Sequence, residues 1–355
     1  MERQSTISHA TATRPAAAPS SPTRREFLRA AATVAGALAA SAAAGCDVRE
    51  YARKHGAKQR LSIATGGTGG VYYIYGGALA HVISTYVPNV AATAEVTSAS
   101  IDNLKFLRDG RADLALVSAD AAADARQGTR SFQKFGRVPV VSLARLYTNY
   151  YYLVTLTGTG IASIADLRGR VISTGVPGSA TAMSAVRILH AAGIDVRTDI
   201  RQHELGIAAS VDALKDGKID ATIQGGGAPI SAFLDLQNTP RGGLRLVPCA
   251  EVLPELQRIY GATVYYDADI PKATYPGQPE PVPVIGSGTL LVADEAMSDS
   301  LAYEITTALF DHQPQIAAIH PEGRNLTLAS AVTRSPVPFH SGAIRYYRER
   351  GAWPT

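Results

Sequence analysis

LKFLRDGRADLALV, residues 104–117, and VDALKDGKIDATIQ, residues 211–224, decide the architecture of this chain. They align without gaps at an offset of 107 residues, sharing Leu107/Leu214, Asp109/Asp216, Gly110/Gly217 and Asp113/Asp220, with a basic residue after each glycine. Each copy reads as the end of a helix, a glycine stop and a buried strand, because glycine takes the left-handed conformation that ends a helix at no steric cost. Any helix-Gly-strand turn has that outline, so the upstream sequence has to carry the repeat. It does: Leu61-Ser62-Ile63-Ala64-Thr65 reads as a strand entering Gly66-Gly67-Thr68-Gly69-Gly70 and a helix over residues 71–86. Residues 170–174 likewise form a strand entering Gly175-Val176-Pro177-Gly178-Ser179 and a helix over residues 180–192. Strands at residues 92–96 and 201–203, and helices at residues 101–108 and 208–214, complete both copies. The alternation of short apolar runs with helical patterns is that of α/β proteins. Two similar lobes imply a hinge and a cleft that closes around a ligand.

With 355 residues and 46% hydrophobic content, the chain is long enough for two such lobes and too apolar for general disorder. The net charge of +4 is unevenly spread. Residues 1–60 hold ten basic and four acidic residues, so the remainder carries −2 and offers no basic face for nucleic acid.

The basic excess belongs to a leader. Thr23-Arg24-Arg25-Glu26-Phe27-Leu28-Arg29 precedes sixteen uncharged residues, 30–45, and then Cys46. Positive flank, weakly apolar stretch and small residues make an export signal, and the paired arginines closely resemble a twin-arginine signal. Ala43-Ala44-Gly45-Cys46 looks like a lipobox, although Ala43 stands where leucine is preferred. The expected layout is a twin-arginine signal peptide at 1–45 and a lipid-anchored stalk at 46–60 carried on Cys46. Lobe 1 follows at 61–146, with 284–335 returning to it, then lobe 2 at 147–283 and a C-terminal segment at 336–355. The second cysteine, Cys249, has no partner at metal or redox spacing and reads as a buried thiol.

The candidate site lies in the loops. A glycine-rich turn from strand to helix points backbone N–H groups along the positive end of the helix dipole, where a small anion binds without metal. Thr65, Thr68, Ser179 and Thr181 add hydroxyls beside those amides. Gln224-Gly225-Gly226 supplies a third loop in which a carboxamide ends a strand. Neighbours on a helix point about 100° apart, so one of Tyr72 and Tyr73 faces the cleft. Tyr147, Tyr150, Tyr151 and Tyr152 fall where the chain crosses between lobes and read as strand packing, with Arg145 and Tyr147 the exceptions that could reach a ligand.

TGGTGGVYY (65–73), STGVPGSAT (173–181), IDATIQGGGAP (219–229) and PFHSGAIRYYRERG (338–351) together resemble the TAXI family of extracytoplasmic solute receptors of TRAP transporters. The resemblance covers residue 61 to the C-terminus. It implies a type II periplasmic-binding-protein fold and capture of a small organic anion, glutamate-like, dicarboxylate or 2-oxo acid. The solute would be delivered to an ion-driven membrane permease, with no cofactor and no part for ATP. Carried over, the ligand-binding residues are Thr65, Gly66, Gly67, Thr68, Gly69, Tyr72 or Tyr73, Ser98, Asn103, Thr174, Pro177, Gly178, Ser179, Ala180, Thr181, Gln224, Gly225 and Gly226. Ala180 replaces a more usual glycine, and the glycine-rich third motif departs from the family pattern, so ligand identity does not transfer. His340, Arg345, Tyr346 and Tyr347 read as structural or docking residues.

An enzyme is the first rival, but no phosphate-loop, nucleophile-elbow or zinc-protease motif is present, and the third glycine of a dinucleotide fingerprint is replaced by Tyr72. The eight histidines are dispersed, and Asp267 and Asp269 read as a solvated loop pair. A sensor presenting ligand to a membrane kinase is the second rival.

Overall fold

A computed structural model describes residues 58–236, 242–333 and 335–354. The twin-arginine signal, Cys46 and most of the stalk lie outside the described residues. These described residues form one compact unit.

Ten strands make a single mixed sheet in the order β2-β1-β3-β10-β4-β7-β5-β6. In the first lobe β1 (Gln59–Ala64) pairs in parallel with β2 (Val90–Glu95) and β3 (Leu114–Ser118). In the second, β5 (Val171–Ser173) pairs in parallel with β6 (Arg201–His203) and β7 (Ala221–Gly226). The two triplets are mirror images in strand order, as the repeat predicts. Between them run two long antiparallel strands, β4 (Val140–Leu156) and β10 (Val282–Asp294), each shared by both halves. β8 (Leu244–Val247) and β9 (Tyr266–Ile270) pair with the outer parts of β4 and β10. Two lobes on one plan joined by two crossing strands are the type II arrangement expected from the sequence.

The helices that matter here are the crossovers: α1 (Val71–Tyr86), α2 (Ser100–Arg108), α3 (Ala119–Gln127), α4 (Ala180–Ala191) and α5 (Ile207–Asp216). α3 and α5 stop at Gly128 and Gly217, both left-handed, as the glycine reading requires; Asp109, with Gly110 behind it, ends α2. The larger core runs continuously under both lobes through Leu61, Leu79, Leu153, Ile172, Ile188 and Ile223. A second cluster gathers Ile101, Leu104, Val117 and Leu290 from the first lobe with Ala180 from the start of α4. Ala180 thus packs against the opposite lobe, which means the cleft is closed.

Asp267 and Asp269 are exposed, as expected, but on strand β9 rather than in a loop. Cys249 is buried, its Sγ 3.6 Å from the carbonyl of Tyr151, and burial pushes its thiol up to about 12. The C-terminal helix Ser341–Glu349 packs onto the fold: Tyr347 donates to the Leu143 carbonyl at 2.8 Å, and Arg345 stacks 4.0 Å over Tyr303.

Candidate functional site

In parallel α/β sheets the chain reverses side at the carboxyl ends of the strands, and that crevice is where ligands sit. Here those ends belong to two lobes facing each other. They enclose a cavity of about 120 Å³ lined by Gly66 and Gly67 after β1, Ser98 and Ala99 after β2, and Ser118 at the end of β3. The second lobe contributes Gly175 and Val176 after β5, Gly206 after β6, and Gln224, Gly225 and Gly226 at the end of β7. The three loops singled out in the sequence therefore do meet.

All five crossover helices begin at this cavity. Gly70, Ala99, Ser118, Ser179 and Gly206 are their N-caps, and each one or the residue after it lines the wall. The first turn of a helix has no internal acceptor for its N–H groups, so a side chain, water or ligand must supply one. Only Ser179 does so from its own side chain, accepting from Ala182 N at 3.0 Å. At the other four N-caps no side chain caps the helix. The lining holds no Asp, Glu, Lys, Arg or His. The lining side chains therefore bring no formal charge, and the helix N-termini turn the positive ends of their dipoles to the cavity.

The interlobe contacts are short and backbone-rich. Asp102 N donates to Gly178 O at 3.1 Å, and Ser231 Oγ donates to Gly69 O at 3.1 Å. Gly178 has φ +86, and a Cβ there would stand 2.4 Å from an Asp102 carboxylate oxygen. Glycine is required on both counts for the lobes to meet.

Of the residues expected to bind ligand, Gly66, Gly67, Tyr72, Ser98, Ser179, Ala180, Thr181, Gln224, Gly225 and Gly226 line the cavity. Tyr72 is the inward tyrosine, its phenol pKa raised by burial, while Tyr73 turns to solvent at 37% exposure. The others lie outside the cavity's lining. Thr65 is buried behind the wall, donating to Glu95 O at 2.6 Å. Asn103 is spent on the carbonyls of Ala64, Thr65 and Leu116, fastening β1 to β3. Thr174 accepts from Gln202 Nε2 at 2.8 Å. Thr68, Gly69, Pro177 and Gly178 sit outside the cavity lining, where loop tips meet solvent or the other lobe. Arg145 bonds to Thr148 Oγ1 and Tyr266 OH, and Tyr147 is buried against Tyr75 with ring centroids 5.0 Å apart. Neither reaches the cavity. Among the lining residues outside the expected set are Asn149, Ser118, Thr97, Ser100, Gly206 and Ile207. For Gly206 the signal was present as the strand-loop-helix order before α5.

Charge is concentrated beside the cavity instead. Arg187 of α4 pairs with Asp124 of α3, both side chains almost wholly buried, and Asp124 also holds Arg130 at 2.8 Å. Asp120 accepts from Ser118 Oγ, Ala121 N, Tyr151 OH, Ser184 Oγ and Tyr265 OH. Tyr265 OH in turn accepts from Arg187 at 3.1 Å. This cluster clasps the two lobes together.

Among solved structures, the chain is similar to the periplasmic aliphatic sulphonate binding protein of Escherichia coli, at 15% identity over 84% of each chain with a TM-score of 0.43. It is similar to the alkanesulfonate-binding protein of Xanthomonas axonopodis pv. citri at 15% identity, covering 83% of this chain and 92% of that one, TM-score 0.47. A binding protein component of an ABC phosphonate transporter from Pseudomonas aeruginosa matches at 12% identity over 75% and 79%, TM-score 0.49. The profile of the NMT1-like family matches residues 63–351, which takes in every strand but the first few residues of β1 and all of the cavity wall, and the chain belongs to the NMT1-like family.

Proposed function

We propose that this protein is an extracytoplasmic solute-binding receptor, not an enzyme, and that its solute is a small organic anion. The observation that carries this reading is the convergence of five helix N-termini, four without a capping bond from the N-cap side chain, on a cavity whose lining has no charged side chain. An anion there accepts from first-turn amides that no N-cap side chain holds, apart from Asp102 N, taken by Gly178 O, and Ala121 N, taken by Asp120, and the aligned dipoles stabilise its charge. The titratable group on this wall is the phenol of Tyr72, which burial keeps protonated, so the lining itself supplies no general base to activate its serine and threonine hydroxyls.

The volume points to a small solute. An engineered cavity of roughly 150 Å³ is filled by benzene, so about 120 Å³ suits a molecule of about five or six heavy atoms. Glutamate-like acids, dicarboxylates and 2-oxo acids are the classes that the sequence resemblance brings. The same resemblance supports delivery to the membrane subunits of an ion-driven TRAP permease, with the receptor held at the outer face of the inner membrane by a lipid on Cys46. Binding closes the lobes, and the closed form is the one that docks.

A thermal-shift screen of the purified protein against carboxylates, sulfonates, sugars and organic cations tests the solute class, since a ligand that binds only the folded state raises the melting temperature. Shifts with small anions are expected; shifts confined to sugars or cations overturn the reading. Uptake into vesicles holding the receptor and its permease, driven by an ion gradient without ATP, tests the partner, and a requirement for ATP would refute it. Mass analysis of the mature N-terminus checks the acyl group on Cys46.

A further inference from the structure

Asn149 lies on β4 where that strand crosses between the lobes, and its side chain lines the cavity at 4% exposure. Neither its carbonyl oxygen nor its amide nitrogen makes a hydrogen bond to another described residue. Its amide opens on the cavity, so the partners that the protein does not supply come from solvent or from a ligand seated there. The amide nitrogen sits in a corner kept open by glycine: a Cβ on Gly225 would stand 3.2 Å from Asn149 Nδ2 and 3.1 Å from Thr181 Oγ1. Thr181 Oγ1 accepts from Gly225 N at 3.2 Å, which leaves its proton available to the same corner.

A carboxamide donates and accepts at once, whichever way it is turned. A ketone or carboxylate oxygen only accepts, so it satisfies Nδ2 and strands Oδ1. An ammonium only donates, and it brings a positive charge into a cavity with no acidic lining residue; the nearby Asp120 is already occupied by five donors. A hydroxyl answers both halves of the amide and keeps the charge count of a plain anion.

Resting on the anion reading above, we infer that the solute is a small hydroxy acid, its anionic group on the helix N-termini and its hydroxyl read by Asn149. Asn149 is then the residue that sets specificity within the class.

Isothermal titration of the full-length protein with matched 2-hydroxy, 2-oxo and 2-amino acids, over chain lengths of about three to six carbons, tests this. The hydroxy member of the best-binding set should bind about tenfold or more tightly than its oxo and amino counterparts. In Asn149→Leu that preference should collapse to within about twofold. If small anions bind and the oxo or amino member is equal or better, the hydroxy-acid inference fails and the anion reading stands. If no carboxylate or sulfonate binds at any length, both fail. The comparison of ligands on the unaltered protein decides the matter even if the variant does not fold.

Discussion

The cavity and the clasp beside it are built from the same elements by opposite means. The wall of the cavity carries no charged side chain and leaves helix ends uncapped. The clasp, a few residues along α3 and α4, buries Asp120, Asp124 and Arg187 with partners on nearly every polar atom. The difference teaches how a two-lobed binder separates its tasks. A charge pair has strict geometry, and breaking it is expensive, which suits a contact that must hold the lobes in register. Backbone dipoles need no counter-ion, so an anion can enter and leave without stranding a buried cation.

Removing charge from the clasp should therefore cost stability, and removing space from the cavity should cost affinity. Arg187→Met leaves Asp124 with Arg130 alone and Tyr265 OH without its guanidinium donor. Chemical or thermal unfolding should register a loss of roughly 3–5 kcal/mol, and wild-type stability would show that charge does not hold the lobes. Gly225→Val places methyl groups between Asn149, Thr181 and the Tyr151 ring. Titration calorimetry should find affinity down roughly a hundredfold, about 2.7 kcal/mol, outweighing any loss in melting temperature.

Ser179→Ala sharpens the contrast inside the cavity wall itself. The Ser179 hydroxyl donates to Val176 O at 2.6 Å and accepts from Ala182 N, so it is committed to the loop. About 1 kcal/mol of stability should be lost with affinity unchanged within about twofold. A tenfold affinity loss at unchanged melting temperature would mean that the hydroxyl serves the ligand.

The smallest effect concerns pH. His320 accepts from Glu322 N at its Nδ1 and faces Pro229 O with Nε2, and burial lowers its pKa. The unfolded chain then takes up the proton first, so the stability that neutral His320 contributes is present above about pH 6.5 and lost as pH falls below it, at under about 1.4 kcal/mol per pH unit. Burial raises Glu322, which acts the other way as pH falls through its raised value. Solute affinity, in a cavity whose lining contains no group titrating between about pH 5 and 9, should stay flat across the same range. Parallel unfolding and titration series from about pH 5.5 to 8, repeated with His320→Gln, check this; affinity that tracks stability would tie the solute to a titrating side chain.

Much of the site was legible because its determinants are local. The helix at 71–86, the glycine stops and the loop at 175–179 follow from turn chemistry and periodicity within a dozen residues. Tyr72 against Tyr73 needed only the 100° step of a helix. Asn149 was hidden because Tyr147-Thr148-Asn149-Tyr150 reads as an aromatic strand, where a polar residue carries no sign of which side it takes. Arg145 misled for a related reason. The β4–β10 ladder shifts register between Thr289 and Leu290, opposite Tyr147 and Arg145, so the alternation that would place Arg145 relative to Asn149 is broken. Asn103 came as a ligand residue with the family resemblance, yet three backbone carbonyls claim its amide.

The sequence by itself determined two α/β lobes on one plan, the three glycine-rich loops between them, and the near-neutral body that makes any anion site a matter of backbone rather than net charge. These depend on propensity and repeat, which act over short stretches of chain. Tertiary structure alone decided which side chains face the solute and which clasp the lobes. That choice depends on β4 lying between β10 and β7, partners far away along the chain, and on five helix ends brought together by closure.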